Sequence, residues 1–206
     1  MINIKNVQVA GWEHAMRGMR QSFGSTRKND TKKDRVGDKD FTLALRLAKS
    51  GPSHSKYLRF IQVWADITAP LYWWKQMDTY RFGKEQNSES TMHTITKRGA
   101  FHTDDFSTDG SDYTSAYLEG VIFSLNKLLN LYKDEEDKDT KQEIWRGIIQ
   151  ILPESFNQTR TVNLNYQTLR NIYHQRKGHR LHEWYTFNKW IERLPYAELI
   201  TEPESE

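Results

Sequence analysis

The chain has 206 residues and a mass of 24.5 kDa, the size of one large domain whose core needs no disulfide or metal staple. An apolar content of 36%, a mean hydropathy of −0.85 and no run of about 18 apolar residues exclude an integral membrane protein, and 13% aromatics argue against a disordered chain. The absence of cysteine removes disulfides, thiolate chemistry and Cys-ligated zinc, and a net charge of +3 suits anionic small molecules such as nucleotides better than nucleic acid.

Residues 2–9 alternate loosely through Ile2, Ile4, Val7 and Val9 and predict a strand. They lack the charged start and apolar stretch of a secretory signal, so a soluble cytoplasmic protein is expected. A helix rich in Met and Arg follows over residues 12–23. Residues 24–40 hold a single large aliphatic side chain, Val36, and read as a mobile loop, with a phosphate-binding arm as the second reading. Phe41, Ala44, Leu45 and Ala48 recur at helical spacing until Gly51-Pro52 stops them. From Leu58 to Thr68 the period changes to two, with Ile61, Val63, Ala65 and Ile67 on one face. Thr68-Ala69-Pro70 starts a helix to about Tyr80 that carries Trp73, Gln76 and Tyr80 on one stripe. Residues 81–93 read as a polar loop and 101–111 as an acidic one. Leu118, Val121, Ile122, Leu125, Leu128, Leu129 and Tyr132 mark a long amphipathic helix. The charge run 133–143 reads as a solvated helix end or turn, residues 144–152 as a helix ended by Pro153, and 159–164 as a short strand. Asn165 is an N-cap for a helix to Arg176, Trp184 to Leu194 form the last helix, and residues 201–206 read as a frayed tail. No repeat or linker is visible, so one α+β domain over 1–206 is expected, richer in helices than in strands.

Two stretches can carry chemistry. In the first, residues 51–93, a strand turns into a helix that delivers Lys75, Gln76 and Arg81 to a polar loop with Asn87, Ser88, Ser90 and His93. Arg81 can grip phosphate with a charge-assisted fork. Gln76 can donate to and accept from a pyrimidine edge. Ser90 with backbone N–H groups can close on phosphate, and Trp73 and Tyr80 can stack on a ring. The alternative is a polar surface loop with the tryptophans in the core. The second stretch, 163–184, holds Arg170, Arg176, Lys177, Arg180, His174, His179 and His182, the densest basic patch in the chain. It is either a groove lined by Asn165, Asn171 and Arg176 or a solvated helix end matched to the helix dipole. The histidine spacing fits no common zinc signature, and no glycine-rich phosphate loop or nucleophile motif is present.

These residues resemble the flavin-dependent thymidylate synthases (the ThyX family), in a divergent form like those of phage genomes. The family has a strand ending x-x-Ala-Pro, a helix with Arg-Gln, and a motif Arg-His-Arg-x-x-Ser-x-Asn-Glu-x-Ser-x-Arg-Tyr. Here the strand and helix read ITAPLYWWKQ, and TYRFGKEQNSESTMH fits the motif with one extra residue. Arg81, Asn87 and Ser90 match; Thr79, Tyr80, Ser88 and Met92-His93 depart. After Leu152-Pro153, the spacing of Asn165, Asn171 and Arg176 is also similar to the family's, with Gln167 standing where an Arg is expected. The resemblance implies an α+β fold with helices packed on a small antiparallel sheet. It also implies a homotetramer with active sites at subunit interfaces, FAD as cofactor, folate as co-substrate, and dUMP as the nucleotide that is reductively methylated or hydroxymethylated. It gives Arg81, Asn87, Asn165 and Asn171 to the flavin, and Gln76, Ser90, Arg160 and Arg176 to the substrate. No catalytic residue and no metal are assigned.

Three readings follow. The first is that enzyme. The second is a nucleotide-binding or sequestering protein on the same fold that has lost catalysis, favoured by the missing motif charges. The third is a nucleic-acid binder using residues 24–40 and 170–180, which the small net charge disfavours.

Overall fold

The computed structural model describes residues 2–203. In chain order the strands and α-helices are β1 (Asn3–Ala10), α1 (Trp12–Gln21), α2 (Asp38–Lys49), β2 (Gln62–Pro70), α3 (Leu71–Met77), β3 (Lys84–Ser88), α4 (Thr91–Thr94), α5 (Asp112–Asp134), α6 (Lys138–Ile151), β4 (Asn157–Asn165), α7 (Tyr166–Arg176), α8 (His182–Ile191) and α9 (Glu198–Thr201). The fold is α+β with a four-stranded antiparallel sheet in the order β1-β2-β4-β3. Among the described residues no helix is long and apolar enough to cross a membrane. The chain divides into two compact units. The first comprises Ile67–Thr79 and Asn87–Arg160; the second comprises Ile2–Asp66, Tyr80–Gln86 and the chain from Thr161 onward.

The first unit is built on a helical hairpin. Ser111 caps α5 by accepting from the Thr114 N–H, and Asp137 caps α6 by accepting from the Thr140 N–H. Between the helices, Glu135 Oε1 accepts the N–H groups of Glu136 and Asp137, which satisfies the turn. Leu118, Leu125 and Leu129 of α5 and Ile148 of α6 join Ile95, Phe101, Phe106 and Phe156 in one buried cluster. The acidic loop is thus anchored by the two phenylalanines at its ends.

In the second unit, Ile61, Val63 and Ala65 are buried, as their alternation requires. Trp12 meets Tyr166 and Tyr196 edge-on, with ring centroids 5.1 and 4.9 Å apart. Residues 24–40 are not a mobile excursion. They form a turn at Thr26–Lys28, a bridge between Lys32 and Arg35, and the start of α2. Their polar groups are spent inside: buried Asp40 accepts from Arg20 Nε (2.7 Å), Thr31 Oγ1 (2.6 Å) and the N–H groups of Asp30 and Thr31. Burial alone would push the Asp40 carboxyl up, but these donors outweigh it and hold it below its ordinary range.

Other boundaries move for stated reasons. Residues 81–93 hold a strand and a short helix, because β3 is an edge strand exposed on both faces and shows no alternation. Helix α3 ends at Met77, so Tyr80 leaves the predicted helical stripe. Thr201 closes α9 instead of fraying; the rest of the expected tail, 204–206, lies outside the described residues.

Candidate functional site

The eight predicted site residues fall into the two units: Arg81, Asn165, Asn171 and Arg176 in the second, Gln76, Asn87, Ser90 and Arg160 in the first.

In the second unit, residues 80–83 lie along α7. The Asn165 N–H donates to the Gly83 carbonyl (3.2 Å), Thr168 Oγ1 donates to the Phe82 carbonyl (2.9 Å), and Arg176 Nε donates to the Tyr80 hydroxyl (2.8 Å). Asn165 is the N-cap the sequence predicts, its Oδ1 accepting from the Thr168 N–H (2.9 Å). The turn needs a glycine: Gly83 has φ +67°, and a Cβ there would fall 2.1 Å from Asn165 Nδ2. The result is a clamp that leaves Arg81 and Phe82 exposed, Phe82 at 92%. Asn165 and Arg176 share a face of α7, about 16 Å apart along the axis and within roughly 20° of rotation, whereas Asn171 is turned away by about 120°. Asn171 is exposed and its Oδ1 accepts from Gln167 Nε2 (3.1 Å). The structure therefore gathers Arg81, Asn165 and Arg176 and leaves Asn171 off that face.

Arg176 is pre-oriented. Its guanidinium carbon lies 4.7 Å from the Trp184 ring centroid and 5.4 Å from that of Tyr80. Among the described residues it has no carboxylate partner. Beside it opens a cavity of about 300 Å³ lined by Tyr173, Arg176, Lys177, His179, Asn188 and Glu192, among others. Glu192 is already engaged by Lys189 (2.7 Å) and the Tyr173 hydroxyl (3.1 Å). Burial, with the Arg176 charge second, pushes the His179 pKa below its ordinary value, so the ring stays neutral at neutral pH. Its Nδ1 accepts from the Leu181 N–H (3.1 Å), which leaves the proton on Nε2.

The basic patch is smaller than the sequence predicts. Arg170 is buried and donates to the Leu199 and Ile200 carbonyls (3.0 and 3.2 Å), a structural role that ties α9 to α7. His174 is likewise bonded to the Ile200 carbonyl (3.0 Å). Among the described residues no group of three or more His, Cys, Asp or Glu is placed to hold a metal ion.

In the first unit the organiser is Gln158, a buried residue of β4 that carries no sequence signal. Its Nε2 donates to the Glu89 carbonyl (2.9 Å) and Thr91 Oγ1 (3.1 Å), which fixes the segment carrying Ser90. Its Oε1 accepts from Arg160 Nε (2.9 Å), and its carbonyl accepts from Trp74 Nε1 (2.9 Å). Arg160 lies 4.2 Å over the Trp74 ring, with Nη1 2.9 and 3.0 Å from the two Asp78 oxygens. Ser90 caps α4 through its backbone without a side-chain bond, Asn87 is exposed on β3, and Gln76 is half-buried near the end of α3. Trp73 is fully buried, so the expected stacking of its ring on a ligand is excluded.

No protein-family model matches the chain, and no curated protein sequence does. Solved structures do. The flavin-dependent thymidylate synthase ThyX of Helicobacter pylori, complexed with FAD and dUMP, matches with a TM-score of 0.75 and 16% identity over 99% of each chain. A second structure of that protein with FAD and dUMP gives a TM-score of 0.73 and 15% identity, over 97% of this chain and 95% of that one. The UMP/dUMP methylase PolB of Streptomyces cacaoi, bound with 5-Br dUMP, gives 0.64 and 16%, over 96% and 93%. The chain has the ThyX-like fold.

Proposed function

We propose that this protein is a flavin-dependent thymidylate synthase-like enzyme. It would hold FAD and dUMP and carry out reductive methylation, or hydroxymethylation, of the pyrimidine with a folate one-carbon donor. The observation that carries the reading is Arg176: a cation fixed by Tyr80 and Trp184, with no carboxylate partner among the described residues, on a fold whose solved examples are complexed with FAD and dUMP. The α7 face is rich in donors, with the Arg81 and Arg176 guanidinium groups beside the Asn165 amide. Such a set suits an anionic group rich in acceptors, as phosphates and flavin carbonyls are.

In this reading Arg176 neutralises the substrate phosphate, and Gln76 and Ser90 receive the base and phosphate region of the nucleotide. Arg160 is a substrate ligand once Asp78 yields its guanidinium. Arg81, Asn87, Asn165 and Asn171 hold the flavin. The flavin, when bound, supplies the hydride chemistry, and the protein binds, orients and excludes water. The same reading carries assembly into a tetramer, a cytoplasmic location and kinship with phage enzymes.

The second reading is a nucleotide-binding protein without turnover. It is favoured by Asp78, which already neutralises Arg160, and by Thr79, Tyr80 and Ser88 where the family motif has Arg, His and Glu. Absorbance spectra of the purified protein, with and without added FAD and then dUMP, test both. A bound flavin spectrum that dUMP perturbs, with product formed on adding reduced flavin and methylenetetrahydrofolate, is expected. A protein that binds dUMP but forms no product selects the second reading, and one that binds neither FAD nor dUMP overturns both.

A further inference from the structure

Helix α5 carries two opposite stripes. Leu118, Leu125 and Leu129 face the core of the first unit. On the other side Tyr113, Tyr117 and Phe123 stand 85%, 80% and 72% exposed. A single exposed apolar residue is ordinary, but three aromatic rings over three turns of one helix form a patch of the kind that marks an interaction surface. Small residues lie between the rings: Ala116, Gly120 and Ser124 recur every fourth position. The helix surface is bare at Gly120, where a Cβ would meet nothing within 4 Å.

We propose that this face of α5 binds the same face of a second copy of the chain, antiparallel and centred on Gly120. It gives the self-assembly named above a surface, and rests on that reading only for the expectation of more than one copy. The partner is argued from complementarity. In a two-fold pair each contact occurs twice, and residues placed symmetrically about the centre meet. Ala116 then meets Ser124, Tyr117 meets Phe123, and Lys127 meets both the Asp112 carboxylate and the Tyr113 ring. Small faces small, ring faces ring and cation faces anion. A parallel pair would instead set Lys127 against Lys127 and Asp112 against Asp112, which is repulsive. Six rings burying about 150–250 Å² each supply on the order of 1,000 Å², the area a specific interface needs.

Sedimentation of the full chain at micromolar concentration tests this, with circular dichroism to verify folding. The wild type is expected to sediment as a multiple of 24.5 kDa. Tyr117→Glu should weaken the pairing by about thirtyfold or more, the loss typical of a central aromatic anchor, and yield a smaller species. The charge reversals Asp112→Lys and Lys127→Asp should each weaken it severalfold, and the double reversal should restore it. A monomeric wild type leaves the face to some other protein and overturns the proposal. So does a folded Tyr117→Glu variant of unchanged mass, or a double reversal no better than either single one. FAD binding, read by absorbance on the same samples, separates failure of this surface from failure of the ligand reading.

Discussion

Arg160 and Arg176 are built alike and left in opposite electrostatic states. Each guanidinium lies on a tryptophan, Trp74 at 4.2 Å or Trp184 at 4.7 Å. Each donates its Nε to a neutral oxygen, Gln158 Oε1 or the Tyr80 hydroxyl, at 2.9 and 2.8 Å. The difference is one carboxylate. Asp78 sits on Arg160, whereas no acid sits on Arg176 among the described residues. Stacking and a neutral acceptor fix the orientation of an arginine without consuming its charge, whereas a carboxylate consumes it. An anion can approach Arg176 directly but must displace Asp78 to reach Arg160.

The largest effect expected from this contrast is at Arg176. Arg176→Ala should cost about 1.5–3 kcal/mol of nucleotide affinity, the worth of one charge-assisted contact, or roughly ten- to a hundredfold in Kd. Arg160→Ala should cost less than about tenfold, because its charge is already balanced. Isothermal titration with dUMP reads both. Equal losses in the two variants would break the contrast.

Next comes the clamp that holds the 80–83 turn on α7. Gly83→Ala forces a side chain into a left-handed conformation and against Asn165. A cost of about 1–3 kcal/mol in stability is expected, as for other strained backbone positions, measured by chemical denaturation. Because Tyr80 and Arg81 share that turn, nucleotide affinity should fall with it. A variant as stable as the wild type would mean the clamp does not fix the turn.

Tyr80→Phe sharpens the contrast further by removing the hydroxyl and keeping the ring. The lost hydrogen bond is worth about 0.5–1.5 kcal/mol, so dUMP should bind about two- to tenfold more weakly. Tyr80→Leu also removes the cation–π contact and should add about 0.5–1 kcal/mol. If Tyr80→Phe binds like the wild type, the stacked rings alone orient Arg176.

Much of the fold is legible in the sequence wherever one face of an element is buried. The alternation of Ile61, Val63, Ala65 and Ile67 marks β2, the leucine spacing marks α5, and Asn165 announces itself as a cap because a cap is a local device. The edge strand β3 has no buried face and gives no period. The chemistry of the two arginines is equally invisible, for a different reason. Asp78 stands 82 residues from Arg160, and Tyr80 stands 96 from Arg176. Whether an arginine is free or spent is decided by such distant partners, which no local pattern encodes. The 24–40 segment teaches the converse. Its polarity looks like solvation, yet Asp30, Thr31 and Asp40 bond to one another within the chain. Since the Asp40 carboxyl titrates below its ordinary 3.8, the stability it contributes is present above that pH and lost as pH falls through the lower, folded value. Asp40→Asn should flatten the acid limb of a pH-stability curve.

The smallest effect belongs to Asp78 itself. Its carboxylate is partly exposed, so solvent screens its pairing with Arg160, and a contribution of about 0.2–1 kcal/mol is typical of such a pair. Asp78→Asn keeps the shape, removes the negative charge and leaves Arg160 on the Trp74 ring with Gln158 still on Nε. Anion binding at Arg160 would no longer have to displace a carboxylate, so dUMP affinity should rise by about two- to fivefold. The rise should shrink with added salt, because it is electrostatic and near the surface. In the double variant Asp78→Asn/Arg160→Ala the gain should vanish, since nothing remains for the anion to reach. A gain that survives in the double variant would assign it to the lower net negative charge of the surface, and Arg160 would then be a structural arginine whose partner is Asp78 alone.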